Sequence, residues 1–443
     1  MKKTILILSI FIISVFSIKP GSRIAINNYT MYLLRDYLIP IVDKHYDLLA
    51  LPNYTKKVGI FEFNFKNSFI HVDPIDYKNV VIKYENLSTK TTIDIINMSS
   101  NATINIAYKA GKLVQDIICK ASIKEMSLNT IITNEIDSKG NPIVKVSSKL
   151  VMEISKTELM FYGSITAKIL EVLEPLIKAF LVESVDIIIN RELHHWIGDP
   201  INEILSSFKV DQPIHNTLYV NYELSTSPYY VDLYSSIPLT GYAYNLSHKF
   251  PPPGTPEDFP IYVKENEFAI QYLFTSHLFN SILNISFAEN IFGTKFGHFT
   301  DPYSMNLICN LTSPPKLFIN EYPMSNFTFK CEINATIQNT TIQFNVSGTS
   351  SQNLYTYVNS TFLQIGISSY LFSDLKYEKP KDFDIAWFES NLETIAYWPF
   401  NDISTQYLVY GIPLPIVNHT YITNTDSEVI NNVIAAFANI VFH

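Results

Sequence analysis

The sequence predicts an α+β protein in which antiparallel sheets wrap around long amphipathic helices, an order of elements that occurs twice in 443 residues. Three observations carry that prediction. Apolar and polar residues alternate in many short stretches, the period of a half-buried strand. Between them lie stretches with apolar residues at three- and four-residue spacing, the period of a helix with one packed face. A proline cluster, Phe250-Pro251-Pro252-Pro253-Gly254-Thr255-Pro256-Glu257-Asp258-Phe259-Pro260, then divides the chain. Proline lacks a backbone N–H and has a fixed φ, so this segment reads as an extended, stiff linker.

The elements follow in order. Lys2 and Lys3 precede an apolar run, Thr4 to Phe16, too short for a comfortable membrane span. Residues 1–17 read as a signal peptide cleaved after Ser17, which implies a secreted protein or one in the lumen of the secretory pathway. Ile26, Thr30, Leu33, Leu34, Tyr37, Leu38 and Ile41 predict a first helix, kinked or ended by Pro40. Phe61–Lys66 alternates strictly, and Ile93–Ile95, Ile104–Ile106 and Ile143–Val146 continue in the same style, with a turn at Lys139-Gly140-Asn141-Pro142. A second, longer helix carries Ile165, Ile169, Val172, Leu173, Leu176, Ile177, Phe180 and Leu181 on one stripe, with Pro175 inside it.

The second half repeats this order. Phe268 to Leu283 reads as helix. Leu307–Leu311, Asn326–Ile333, Thr340–Val346 and Leu354–Ile367 read as strands, and a helix from about Ala386 to Leu408 is interrupted at Pro399. Stripes this wide either make ordinary core or leave an apolar cavity suited to acyl chains, each buried CH₂ contributing about 0.8 kcal/mol.

Composition narrows the function. Three cysteines exclude a disulfide-built scaffold, and 47% apolar residues make a large core possible. Cys309 and Cys331 each share a strand face with apolar neighbours, and either pair as a disulfide or remain two buried thiols; Cys119 is in phase with Ile117 and Ile123 and reads as a buried, unpaired thiol. Fourteen Asn-x-Ser/Thr sequons suit a glycoprotein, with only exposed ones usable. Residues 18–250 hold 23 Lys/Arg against 24 Asp/Glu, and residues 251–443 hold 7 against 17, so the net charge of −9 lies almost wholly in the second half. Nucleic acid is therefore not an expected partner. No Gly-x-Ser-x-Gly elbow, His-Glu-x-x-His helix, phosphate-binding loop or Cys-x-x-Cys is present. The adjacent His194-His195 pair is a poor metal site, because neighbouring helical side chains point apart. No catalytic residue, metal ligand or cofactor is nominated, and a secreted hydrolase is the least supported reading.

Four stretches resemble one family in order and spacing: Ile18-Lys19-Pro20-Gly21 followed by a helix, Leu51-Pro52-Asn53-Tyr54-Thr55, the proline linker, and Gly411-Ile412-Pro413-Leu414-Pro415. The chain resembles the family of bactericidal/permeability-increasing protein, lipopolysaccharide-binding protein and the plasma lipid transfer proteins. That resemblance implies a boomerang: two elongated barrels, each a twisted antiparallel sheet around a long helix, joined by a central sheet. It divides the chain into residues 18–225 (first lipid-binding barrel), 226–262 (central sheet and linker), 263–410 (second barrel) and 411–443 (strands returning to the central sheet). It implies bound phospholipid, with Leu34, Leu38, Leu170, Leu173, Ile177 and Leu181 as candidate pocket residues. Lys56, Lys57 and Lys66 become candidate contacts for anionic headgroups, with Lys109 and Lys112 on the neighbouring turn. Two roles stay open, a binder of lipopolysaccharide or bacterial membranes in defence and a lipid carrier without an antibacterial role. The family's vertebrate members tie a strand to the long helix with a disulfide. Near Val146–Lys149 and Glu192–His195 this chain has no cysteine, which leaves the first barrel to be held by packing alone.

Overall fold

The computed structural model describes residues 19–442 except 28–29, 33–34, 37–38, 41–42, 44–47, 139, 152–155, 216, 232–233, 247–254, 260–267, 301–303, 338–339, 378–379, 381–382, 393, 396–410 and 417–419. The expected signal peptide, Leu34 and Leu38, prolines 251–253 and 260, and the part of the last helix after residue 395 lie outside the described residues.

Three distant parts of the chain meet in a six-stranded antiparallel sheet, in the order Tyr229–Val231, Tyr234–Leu239, Ser22–Asn27, Ile270–Phe274, Val433–Phe442 and Thr420–Ile430. Ile270–Phe274 is buried throughout and so is most of Val433–Phe442, which is why both are largely apolar, with one polar residue each, Gln271 and Asn439. One face of the last strand (Ile434, Ala436, Ala438) joins the main core; the other (Val433, Ala435, Phe437) packs on Phe259 and Phe268. Two helix expectations are corrected here. Ile26 belongs to the strand Ser22–Asn27, and helical residues begin only at Thr30. The run Phe268–Leu283 splits into the strand Ile270–Phe274 and the helix Ser276–Ala288. Short apolar runs fit either period, and pairing across the sheet decides between them. Gly21 has a steric role at the strand's entry: a Cβ there would lie 2.3 Å from the Gly241 carbonyl oxygen.

The first half is a nine-stranded sheet built on one long hairpin, Lys90–Ala110 with Leu113–Ile136, turning at Gly111 with φ +61°. At about 3.3 Å per residue each arm spans about 70 Å. The stretches around Ile93 and Ile104, expected as separate strands, are one strand whose register shifts around Met98. A 27-residue helix, Ala167–Leu193, shares its core with this sheet. Pro175 lies within it on an exposed side, where water can hydrate the Glu171 carbonyl left without a donor. Cys119 is a free, buried thiol whose pKa burial pushes up to about 12, so it is unreactive.

Packing is not all that holds this half. The strand Pro142–Val151 pairs with the sheet along one edge only. On its other edge the Val144 amide donates to Asn202 Oδ1 (2.8 Å), and Asn202 Nδ2 donates to the Val144 carbonyl (3.0 Å). Asn202 sits on the short helix Asp199–Ser206, which follows the long helix after one π-helical turn. An asparagine thus ties helix to strand in a half that has no disulfide between its described residues. Asn202→Ala should cost about 2 kcal/mol in chemical denaturation, from two hydrogen bonds at about 1 kcal/mol each.

The second half is a seven-stranded antiparallel sheet dominated by Pro323–Ile337, Thr340–Asn359 and Phe362–Tyr377. The expected strand Leu354–Ile367 crosses the turn at residues 360–361, where Ser360 has φ +55°, and is two strands. Cys309 and Cys331 face each other in register and form a disulfide, Cα–Cα 4.1 Å. Gly411–Pro415, expected among the strands returning to the central sheet, instead adds Ile412–Pro413 to this sheet. Residues 385–392 are helical, and Phe388 and Leu392 join the sheet's core.

Candidate functional site

A cavity of about 310 Å³ lies between the first sheet and the central sheet, within the range of small-ligand sites. Its walls come from five places. Val80, Ile82, Ile93, Ile95, Ile132 and Val144 project from the first sheet. Ile24, Ile26, Ile237, Ile270, Ile422 and Ile440 project from the central sheet. Ile197, Ile201, Ile204, Leu205 and Phe208 close it from the end of the helical segment. Met31, Arg35 and Ile39 line it from the N-terminal helical residues, and Pro415 and Ile416 from the C-terminal segment.

Isoleucine makes up 17 of the 33 lining residues, and this explains why the space stays open. A β-branched side chain on a strand has few rotamers and cannot swing inward to fill a void. The second half shows the contrast. Its interior holds Phe344, Phe383 and Phe388 in mutual ring contact and Phe329 against Phe372, and a separate cavity lined by Phe279, Leu283, Leu317 and Leu363 measures about 20 Å³.

The structure separates the residues nominated from the sequence. Leu173, Ile177 and Leu181 are fully buried and Leu170 partly so, but none of the four lines the cavity. The outer length of the long helix fills its part of the sheet, with Phe180 stacked on Phe65 at 4.5 Å, and these residues are core. The cavity opens only past the helix end, where Ile197 and Ile201 take over. What sequence reasoning missed was the in-phase isoleucines of several strands, among them Ile24, Ile26, Ile93 and Ile95. The alternation was visible, but which strands face one another was not.

The lysines do not form one patch. Lys56 and Lys57 are neighbours on the strand Tyr54–Val58 and so point to opposite faces. Lys57 pairs with Glu62 at 3.2 Å, and Glu62 lies opposite Lys109 on the next strand. The Lys57 ammonium, with Lys109 beyond, holds the Glu62 carboxyl below its ordinary range. Lys66 follows the strand Phe61–Phe65, about 10 Å along from the level of Lys56. Lys112 sits in the hairpin turn beside Gly59-Ile60, where Ile60, Leu113 and Val114 are exposed. His195 pairs with Asp199 at 2.7 Å, and no cluster of three or more metal-ligating side chains occurs among the described residues. Of the sequons, Asn53, Asn86, Asn97, Asn101, Asn310, Asn345 and Asn359 are exposed, whereas Asn245 is buried.

No family model matches the chain, and no curated protein matches it. Among solved structures it is similar to lipopolysaccharide binding protein at 14% identity and a TM-score of 0.54, over 96% of this chain and 100% of that one. It is also similar to Takeout 1 of Epiphyas postvittana (14% identity, TM-score 0.22, 40% of this chain and 83% of that one) and to P47 from Clostridium botulinum A2 (10%, 0.31, 96% and 98%). The last two similarities carry no argument at these scores. The first shows the fold: a mostly-sheet chain with two curled half-barrel sheets and few helices.

Proposed function

We propose that this is a secreted, non-enzymatic lipid-binding protein whose cavity holds phospholipid acyl chains. The observation that carries the reading is the isoleucine-lined cavity, which has no other evident use in a chain otherwise rich in filled cores. The similarity to lipopolysaccharide binding protein supports lipid as the ligand class. In this reading each barrel wraps its own helix and the two halves form a boomerang about the central sheet. The test is native mass spectrometry and solvent extraction of purified protein. Co-purifying phospholipid is expected; absence of extractable lipid together with no uptake of fluorescent acyl chains would defeat the reading.

Within it, the protein recognises bacterial lipopolysaccharide or membranes in defence. The dispersal of Lys56, Lys57 and Lys66 favours a second reading, a lipid carrier without that role. One triple variant separates them. Each exposed contact contributes only about 0–1 kcal/mol, so single changes should do little. Lys56→Glu, Lys57→Glu and Lys66→Glu together should weaken binding to lipopolysaccharide far more than binding to neutral phospholipid vesicles. The loss should shrink with added salt, since screening acts over about 8 Å at physiological ionic strength. Equal binding by variant and wild type at low salt selects the carrier.

A further inference from the structure

Arg35 is the one charged side chain among the described residues lining the cavity. Its side chain is only 15% exposed. On its outer side it lies against two exposed rings, with the guanidinium carbon 5.0 Å from the centre of Tyr32 and 5.7 Å from that of Tyr77. It therefore stands where the apolar cavity meets the surface. Its ion pair is with its chain neighbour Asp36: Nε donates to Oδ1 at 2.7 Å, and Nη2 lies 2.5 Å from the same oxygen. The Nη1 edge makes no hydrogen bond among the described residues. A guanidinium in an apolar wall is costly unless its donors are used.

A second observation concerns the same cavity. Thr91 lines the wall, is buried, and its Oγ1 has no hydrogen-bond partner among the described residues. Its cross-strand partner Tyr84 has a buried hydroxyl that likewise has none. The Tyr84 ring lies 4.8 Å from that of Tyr230, which lines the cavity and accepts a hydrogen bond from Asn134 Nδ2 (3.1 Å). Burial raises the Tyr84 hydroxyl pKa, with the Tyr230 and Tyr32 hydroxyls adding to the shift. A largely apolar cavity thus carries unpartnered hydroxyls, aromatic rings and one guanidinium, paired on one edge with Asp36.

We infer that the cavity selects an amphiphile with an anionic oxygen head, a carboxylate or a phosphate monoester, which pairs with the Nη1 edge of Arg35 while the chain lies among the isoleucines. This rests on the lipid-binding reading and names the ligand class for that site. A guanidinium suits such a head because its planar donors meet two oxygens at once.

The test compares probes that share one C18 chain: oleate, oleoyl lysophosphatidic acid and uncharged oleyl alcohol, each titrated below its micelle concentration. Wild type should bind at least one of the two anions about tenfold more tightly than the alcohol; which one shows whether the head is a carboxylate or a phosphate. Arg35→Gln should lose that preference, whereas Arg35→Lys should retain part of it. Equal wild-type affinity for all three probes overturns the inference, leaves the lipid-binding reading standing, and does not require the variant to fold. An unchanged preference in a folded Arg35→Gln protein also overturns it. Binding of none of the probes overturns both.

Discussion

Leu173→Asp should unfold the first half of the molecule, costing at least about 4 kcal/mol in urea denaturation. Leu173 is 0% exposed, in the core shared by the long helix and the first sheet. Removing a buried leucine side chain alone costs about 2–5 kcal/mol, and a carboxylate without a partner in an apolar interior adds to it. The conservative change Leu173→Met should cost less than about 1.5 kcal/mol. Because Leu173 does not line the cavity, a Leu173→Met protein should keep its lipid content. A loss of lipid with stability intact would show that the cavity extends along the helix.

The second large effect is expected from filling the cavity. Ile93 and Ile201 face it from the first sheet and from the short helix, and both are only partly buried. Replacing both with tryptophan puts two rings into a space of about 310 Å³. The double variant should lose most of its extractable lipid and bind a fluorescent fatty acid at least about tenfold more weakly. Its stability should change little, because the added atoms enter empty space and do not displace packed neighbours. Filling the cavity of about 20 Å³ beside Phe279 and Leu363 should instead destabilise the fold without changing lipid content. Undiminished lipid in the Ile93→Trp/Ile201→Trp protein would place the ligand elsewhere.

Much of the fold was legible along the chain because it depends on local period. The alternation in Phe61–Phe65, the stripe of Ala167–Leu193 and the turn at Gly140 are properties of a few consecutive residues, and the structure has each of them. The inward phase of Cys119, Cys309 and Cys331 was legible for the same reason. The errors fell where a short run satisfies two periods, as at Ile26 and at Ile270–Phe274. They fell too where a long strand was read as fragments, as between Ile93 and Ile106.

The candidate site was less legible. Leu173, Ile177 and Leu181 and the cavity isoleucines carry the same apolar signal, and nothing local says which of them meets a neighbour and which meets a void. By sequence Arg35 is one charge off a helical stripe; its meaning comes from Thr91, Tyr77 and Tyr84, which lie 42 to 56 residues further along the chain. By itself, then, the sequence determined the period of many elements, the inward phase of the cysteines and an extensive apolar interior. Only the tertiary structure decided where that interior is filled and where it is open. Filling is a relation between side chains of distant strands and helices, and it changes when two elements move apart by the width of one side chain. Periodicity along the chain is insensitive to that distance.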